Sequence, residues 1–310
     1  MFAASPRPRL VSATIIVLLA LVATACGGGV RPTLTSDRLE EITPVATATA
    51  IAAAPTAVVA PTTEPDTNSE AAAGSITEVE QLVVEVLESF PHDTTAFTQG
   101  LELDNGVFIE STGLNGESDL RRVIPETGEV TQIVATPNNF FAEGVTRVGD
   151  QLIQLTWQEN TAFYWDAATF ELQKEVSYPG EGWGLCFDGS RLVMTDGTPV
   201  LIFRDPTTFD EISRIDVTLD GQQVFNLNEI ECVGDVVWAN IWQTDLIVRI
   251  DPARGVVTAV VDASSLDSPN EPSGAVLNGI AWDESTQSFY VTGKLWPTMY
   301  RVNFVPAPAS

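Results

Sequence analysis

The sequence predicts an all-β chain, a five-bladed β-propeller closed by an N-terminal strand that completes its last blade. Three observations lead there. From about Val79 onward, short β-branched and aromatic runs are cut by Gly, Asp and Asn, with no sustained 3.6-residue periodicity. Five segments then align: QGLELDNGVFIEST from Gln99, EGVTRVGDQLIQLTW from Glu143, WGLCFDGSRLVMTDG from Trp183, NEIECVGDVVWANIW from Asn228 and NGIAWDESTQSFYVTGK from Asn278, with starts 44, 40, 45 and 50 residues apart. Four of the five are followed by an apolar strand, a turn resembling Asp-Pro-x-Thr and another strand, the turns beginning at Ile124, Asp166, Asp205 and Asp251. Four strands per unit of about forty-five residues is propeller spacing.

Residues 1–25 contain no acidic residue, carry Arg7 and Arg9, and run apolar from Leu10 to Ala25 apart from Ser12, Thr14 and Thr24. This is the pattern of a secretory signal, too short to span a bilayer comfortably. Ala23-Thr24-Ala25 stands directly before Cys26 and three glycines, which resembles a bacterial lipoprotein cleavage box, with Cys26 the lipidated first residue. From residue 26 to 75 the chain is mostly Ala, Thr, Pro and Val, with too little aromatic surface to build a core, and reads as a disordered tether. The expectation is an exported protein, lipid-anchored at the extracytoplasmic side of a bacterial envelope, with a single propeller domain over residues 76–310. Its fifth unit has only three strands before Phe304, and Glu80–Leu87 has the pattern for the missing outer one.

The formal charge of −27 becomes −29 once Arg7 and Arg9 are removed with the signal. Such a surface repels nucleic acid and anionic lipid headgroups, which excludes polyanionic partners. His92 is the only histidine, so zinc chemistry and histidine-based triads have little material, and no cofactor or metal is expected. Carboxylate, amide, Lys and aromatic groups are left to carry any reaction. Cys186 and Cys232 sit in a compartment that permits a bridge, but two cysteines alone leave their pairing open.

The repeat places the chemistry. The first strand of a propeller blade lines the central channel, so the first residues of the aligned segments, Gln99, Glu143, Trp183, Asn228 and Asn278, converge at one mouth. About fourteen residues later the second strands return with Gly113, Trp157, Gly197, Trp242 and Gly293-Lys294. An aromatic wall with a few convergent polar groups is the general form of a small-ligand site. Trp165, Trp238, Trp282 and Trp296 are assigned to the core, and His92 to a loop holding the approach to the first blade. Glu143, set in Phe140-Phe141-Ala142-Glu143-Gly144, is the candidate acid/base.

The motifs FPHDTTAFTQGL, FAEGVT, LTWQ, PGEGWGL, LNEIE, VWANIWQTD, LNGIAWD and VTGKLWP occur in this order between residues 90 and 297. Together they resemble the plant-type glutamine cyclotransferases, five-bladed propellers that convert an N-terminal glutamine into pyroglutamate with loss of ammonia. The resemblance implies substrate-binding roles for Phe97, Gln99, Phe141, Trp157, Trp183 and Trp242. It also implies catalytic roles for Glu143, Asn228 and Lys294, while Asn278 joins the substrate-binding set through the repeat. Ala142 stands where the family usually has Gly, which raises the question of whether it shifts the Glu143 carboxylate. The partners expected are peptides or proteins with an N-terminal glutamine, met by a monomer. Two other readings remain open: a calcium-dependent propeller lactonase or esterase using Glu143, Asn228 and Asn278 as oxygen ligands, and a non-catalytic surface module binding peptides or glycans.

Overall fold

The structure is a computed structural model and describes residues 78–266 and 274–308. The expected signal peptide, lipidated Cys26 and tether lie outside the described residues. Those described are all-β, with one 3-10 turn at Ser264–Leu266 as the only helical piece among them. After β1 (Glu80–Pro91), the strands form antiparallel meanders of four. The first holds β2 (Thr98–Asp104), β3 (Val107–Thr112), β4 (Asp119–Ile124) and β5 (Glu129–Ala135), and the second β6 (Ala142–Val148), β7 (Gln151–Thr156), β8 (Thr161–Asp166) and β9 (Leu172–Ser177). The third holds β10 (Leu185–Phe187), β11 (Leu192–Met194), β12 (Val200–Arg204) and β13 (Glu211–Asp216). A short hairpin, β14 (Thr218–Leu219) and β15 (Gln222–Gln223), precedes the fourth: β16 (Leu227–Val233), β17 (Val236–Ile241), β18 (Leu246–Asp251) and β19 (Val256–Asp262). The fifth is β20 (Leu277–Asp283), β21 (Ser288–Gly293) and β22 (Thr298–Pro306).

The turns that punctuate the sequence explain themselves. Asp166 Oδ1 accepts the backbone N–H groups of Ala168 and Thr169, and Asp205 and Asp251 do the same for the residues two and three positions on. In each case, and at Ile124, the N–H four residues later returns to the first carbonyl, at Gly128, Phe170, Phe209 and Gly255. All four returning residues have positive φ. Glycine meets that demand freely; Phe170 and Phe209 meet it with rings buried in the core.

The strand that completes the fifth unit is β1, antiparallel to β22 from Leu82 opposite Pro306 to Pro91 opposite Thr298. It runs four residues beyond the expected Glu80–Leu87. Its first residues also pair in parallel with β19, from Glu80 opposite Ala259 to Val83 opposite Asp262, which fuses the fourth and fifth units into one sheet. This second pairing satisfies an edge that would otherwise present unpaired N–H and C=O groups.

The first strands adjoin in a closed cycle: β2 beside β6, β6 beside β10, β10 beside β16, β16 beside β20, and β20 beside β2. They approach so closely that a Cβ on Gly144 would lie 2.6 Å from Leu185 N, and one on Gly184 would lie 2.2 Å from Asn228 O. Where the first, second, third and fifth segments have glycine as their second residue, the fourth has Glu229. Its buried carboxylate accepts the N–H of Ile280 on β20 at 2.8 Å and that of Leu101 on β2 at 3.2 Å, so it spans the middle of the cycle. Cys186 of β10 and Cys232 of β16 form a disulfide with Cα atoms 5.5 Å apart, closing the pairing that the sequence left open and joining the third unit to the fourth. Trp165, Trp238 and Trp296 are buried and Trp282 packs half-buried against the same core.

Candidate active site

Four of the five first strands carry an irregularity at their start, while β10 pairs with β11 without one. The β2–β3 register shifts between Thr98 and Gly100, β6–β7 between Ala142 and Val145, β16–β17 between Leu227 and Ile230, and β20–β21 between Leu277 and Ile280. Gln99, Glu143, Asn228 and Asn278 sit at these bulges, the device by which a strand re-aims a side chain. The residue two positions before each bulged side chain closes it with its carbonyl: Phe97 O accepts Gly113 N, Phe141 O accepts Trp157 N, Asn226 O accepts Trp242 N and Val276 O accepts Lys294 N, all at 2.8–2.9 Å. One repeated bond thus seats the second ring of residues on the first.

Nine of the ten residues expected at the site line one cavity of about 210 Å³: Gln99, Glu143 and Asn228 from the bulges, Trp183 from the segment before β10, Trp157, Trp242 and Lys294 from the ends of second strands, and Phe97 and Phe141. That volume is below the roughly 300–1,000 Å³ of pockets for drug-sized ligands and suits a single residue. Asn278 is the exception. It is fully buried behind Gln99, donating from Nδ2 to Thr98 O at 2.9 Å and to Gln99 Oε1 at 3.4 Å. Its bulge turns it toward the neighbouring strand, so it supports a cavity residue instead of facing the cavity.

Glu143 is 4% exposed and its Oε1 accepts a hydrogen bond from Gln99 Nε2 at 3.0 Å. Gln99 Oε1 in turn accepts from Lys294 Nζ at 2.6 Å, so one amide bridges the carboxyl and the amine. Burial pushes the Glu143 carboxyl well above the ordinary carboxylate range; the nearby Lys294 charge opposes this, and the carboxylates of Glu181 and Glu159 reinforce it. Burial pushes Lys294 down to about 8 against the pull of Glu143. Lys294 Nζ also stands 4.8 Å from the centre of the Phe97 ring, a cation–π contact. Asn228 Oδ1 is buried without a hydrogen-bond partner among the described residues, which leaves it to a ligand.

The aromatic wall is built from edge contacts: Phe97 on Phe141 at 6.1 Å, Phe141 on Trp157 at 5.7 Å, and Trp183 on Trp242 at 5.4 Å. Trp183 lies against Gly197, where a Cβ would come within 2.6 Å of the ring. Ala142 occupies β6 without a positive φ, its methyl buried and its N–H donated to Ser118 Oγ at 3.1 Å. The backbone beside Glu143 therefore takes alanine without strain.

Several contributors were not legible as site residues. Glu181 Oε2 accepts both the Trp157 and the Trp183 indole N–H. His92, assigned to a loop, is buried outside the cavity with Nδ1 2.7 Å from Trp296 O and Nε2 3.0 Å from Glu110. Glu110 also accepts from Thr98 Oγ1 at 2.7 Å, so the pair steadies the strand residue next to Gln99. The flanking glycines of Gly180-Glu181-Gly182 and the break in the glycine pattern at Glu229 were the only sequence signals for these. Glu143, Asn228 and Asn278 do not share one cavity, and no group of three His, Cys, Asp or Glu side chains suited to a metal occurs among the described residues.

The sequence pattern of the glutamine cyclotransferase family matches residues 53–304. A glutaminyl-peptide cyclotransferase of Arabidopsis thaliana is 41% identical over 232 residues, covering 73% of this chain and 72% of that protein. The crystal structure of Myxococcus xanthus glutaminyl cyclase is similar with a TM-score of 0.69 and 37% identity, over 74% of this chain and 100% of the other.

Proposed function

The chain belongs to the glutamine cyclotransferase family, and from that premise we propose how its cavity works. It is a glutaminyl-peptide cyclotransferase that converts an N-terminal glutamine into pyroglutamate with release of ammonia. The observation that carries the mechanism is the Gln99 amide tying Glu143 to Lys294 inside an aromatic pocket of single-residue size. In the reaction the α-amine nitrogen bonds to the γ-carbonyl carbon and the carbon–nitrogen bond of the side-chain amide breaks. One proton leaves the attacking nitrogen and one arrives on the departing ammonia, and a single carboxyl group performs both transfers. Glu143 is that group, and burial gives it the raised proton affinity the double role requires. Lys294 donates to the oxygen that gains charge, and Asn228 hydrogen-bonds the substrate amide through its unpartnered Oδ1. Phe97, Phe141, Trp157, Trp183 and Trp242 press the flexible glutamine into its ring-closing shape.

The same proposal covers the architecture and the cell biology. The five meanders with their cyclic contact of first strands are read as the blades of a five-bladed β-propeller, with β1 closing the last. Export as a monomeric lipoprotein, anchored through Cys26 on a tether of about fifty residues, is supported by the signal-like residues 1–25 and the composition of 26–75. Incubating the purified protein with a short Gln-initiated peptide, with and without chelator, and measuring ammonia tests the reaction. Chelator-insensitive release supports it; turnover of a lactone without turnover of the peptide overturns it. Metabolic labelling with a radioactive fatty acid that is abolished by Cys26→Ala tests the anchor.

A further inference from the structure

The aromatic wall is in two halves. Phe97, Phe141 and Trp157 make one run of edge contacts and Trp183 with Trp242 the other, and among the described residues no ring contact joins Trp157 to Trp183. What joins them is Glu181. Its Oε2 accepts the Trp157 indole N–H at 2.8 Å and the Trp183 indole N–H at 3.1 Å, while its Oε1 accepts from Gln158 Nε2 at 2.9 Å. The carboxylate is itself fixed at its backbone. Gly182 N donates to Trp157 O at 3.0 Å, Asn160 Nδ2 donates to Gly180 O at 2.6 Å, and a Cβ on Gly182 would meet Tyr178 Oη at 2.2 Å.

We propose that Glu181 is a positioning residue for the cyclisation, the carboxylate that fixes the two indoles and so holds the halves of the cavity wall in register. The proposal rests on the cyclotransferase reading of the cavity. An indole carries its N–H on a rigid ring, so holding that proton fixes the rotation of the whole ring. A carboxylate oxygen has more than one lone-pair site and can accept two such protons, and its charge strengthens both bonds. Glu181 also adds negative charge beside the cavity. The groups acting on Glu143 are Lys294 on one side, Glu181 and Glu159 on the other, and Gln99 in direct contact. Removing the Glu181 charge while keeping its shape therefore makes Glu143 easier to ionise.

Three variants separate these effects. Glu181→Gln keeps an oxygen for both indoles, and its amide can face Gln158, whose own amide turns to accept. Glu181→Asp keeps the charge and loses the reach. Glu181→Ala loses both. The expected result is a fall in kcat of about tenfold to a hundredfold for Asp and Ala, the scale of an ångström-sized misplacement. Gln is expected within about threefold of the wild type, with the acid limb of its kcat/KM profile moved to lower pH. The Trp157 and Trp183 indole N–H resonances, followed by ¹⁵N NMR, are expected to shift and exchange faster with solvent in Asp and Ala and to stay protected in Gln. Wild-type kcat with unmoved indole resonances in Glu181→Asp and Glu181→Ala would overturn the proposal. So would a Gln variant no better than Ala. Should Ala fail to melt cooperatively, the Asp and Gln pair decides. Wild-type protein that releases no ammonia from a Gln-peptide would sink the cyclotransferase reading alone, because the indole resonances still report on the clamp.

Discussion

Gly197→Ala puts one methyl group against the wall of the cavity, and its consequence can be worked from the geometry. A Cβ at Gly197 would stand 2.6, 2.7 and 2.9 Å from Cη2, Cζ2 and Cζ3 of Trp183, where carbon atoms ordinarily rest at about 3.5–4.0 Å. One of the two must give by about 1 Å. The backbone is poorly placed to give, because Gly197 O accepts Asn226 N at 2.8 Å and its φ of +78° already holds it in the left-handed region. Trp183 is the side with room, since beyond the ring is cavity, so the indole moves toward the substrate. Alanine at that φ costs about 1–2 kcal/mol, a fall in Tm of about 2–8 °C for a domain of this size. The displaced ring costs about a hundredfold in kcat for a Gln-peptide, the scale of a 1 Å misplacement near the reacting atoms. Ammonia-release kinetics measure this, and a double-mutant cycle with Trp183→Phe supplies the control. Phenylalanine does not carry the distal atoms that clash, so Gly197→Ala should cost far less activity in that background, giving a coupling of about 1 kcal/mol or more. Equal losses in both backgrounds would refute the reasoning, and so would wild-type turnover in the single variant.

Glu143→Gln is expected to fold and melt no lower than the wild type, since the folded protein already favours a neutral group there, while kcat falls by about 10²–10⁴, or about 3–5 kcal/mol of barrier; calorimetry beside ammonia release checks both. Reducing or removing the Cys186–Cys232 bridge, which spans 46 residues, should lower stability by up to about 4 kcal/mol, read from denaturant midpoints with and without reductant. Burial pushes the Glu102 carboxyl up from 4.5 to about 7, so the folded state holds that proton more tightly than the unfolded chain. Its contribution is fully present below pH 4.5 and lost as pH rises through about 7. His92, raised by Glu110 against the opposing effect of burial, acts in the same direction, and Glu229 and Glu231, raised by burial, extend the fall upward. Glu102→Gln should therefore flatten the decline in Tm across that window, and a decline as steep as the wild type's would count against the assignment.

Legibility followed the range of the physics. The bulged residues Gln99, Glu143 and Asn228, and the wall residues fourteen positions on, could be aligned because their three units repeat the same turn and the same hairpin register. The alignment misplaced the role of Asn278, because its bulge leaves it against Thr98 and Gln99, and a repeat fixes a position on a strand without fixing which neighbour claims its amide. The Ala142 question was likewise answered only by the backbone, which has no left-handed residue there.

By itself the sequence determined the all-β class, the five repeated units, the strand that completes the fifth, and seven residues of the cavity, while Phe97 and Phe141 came from the family resemblance. What the repeat supplied follows from alternation and turn residues, settled within one unit or between a unit and its repeat. Only the tertiary structure decided the contacts made between units: Glu229 across the cycle of first strands, β1 along β19, Cys186 to Cys232, and Glu181 between two indoles. Each depends on how far a side chain or an edge reaches once the units are closed on one another. That distance belongs to the closed ring, and no single stretch of chain contains it.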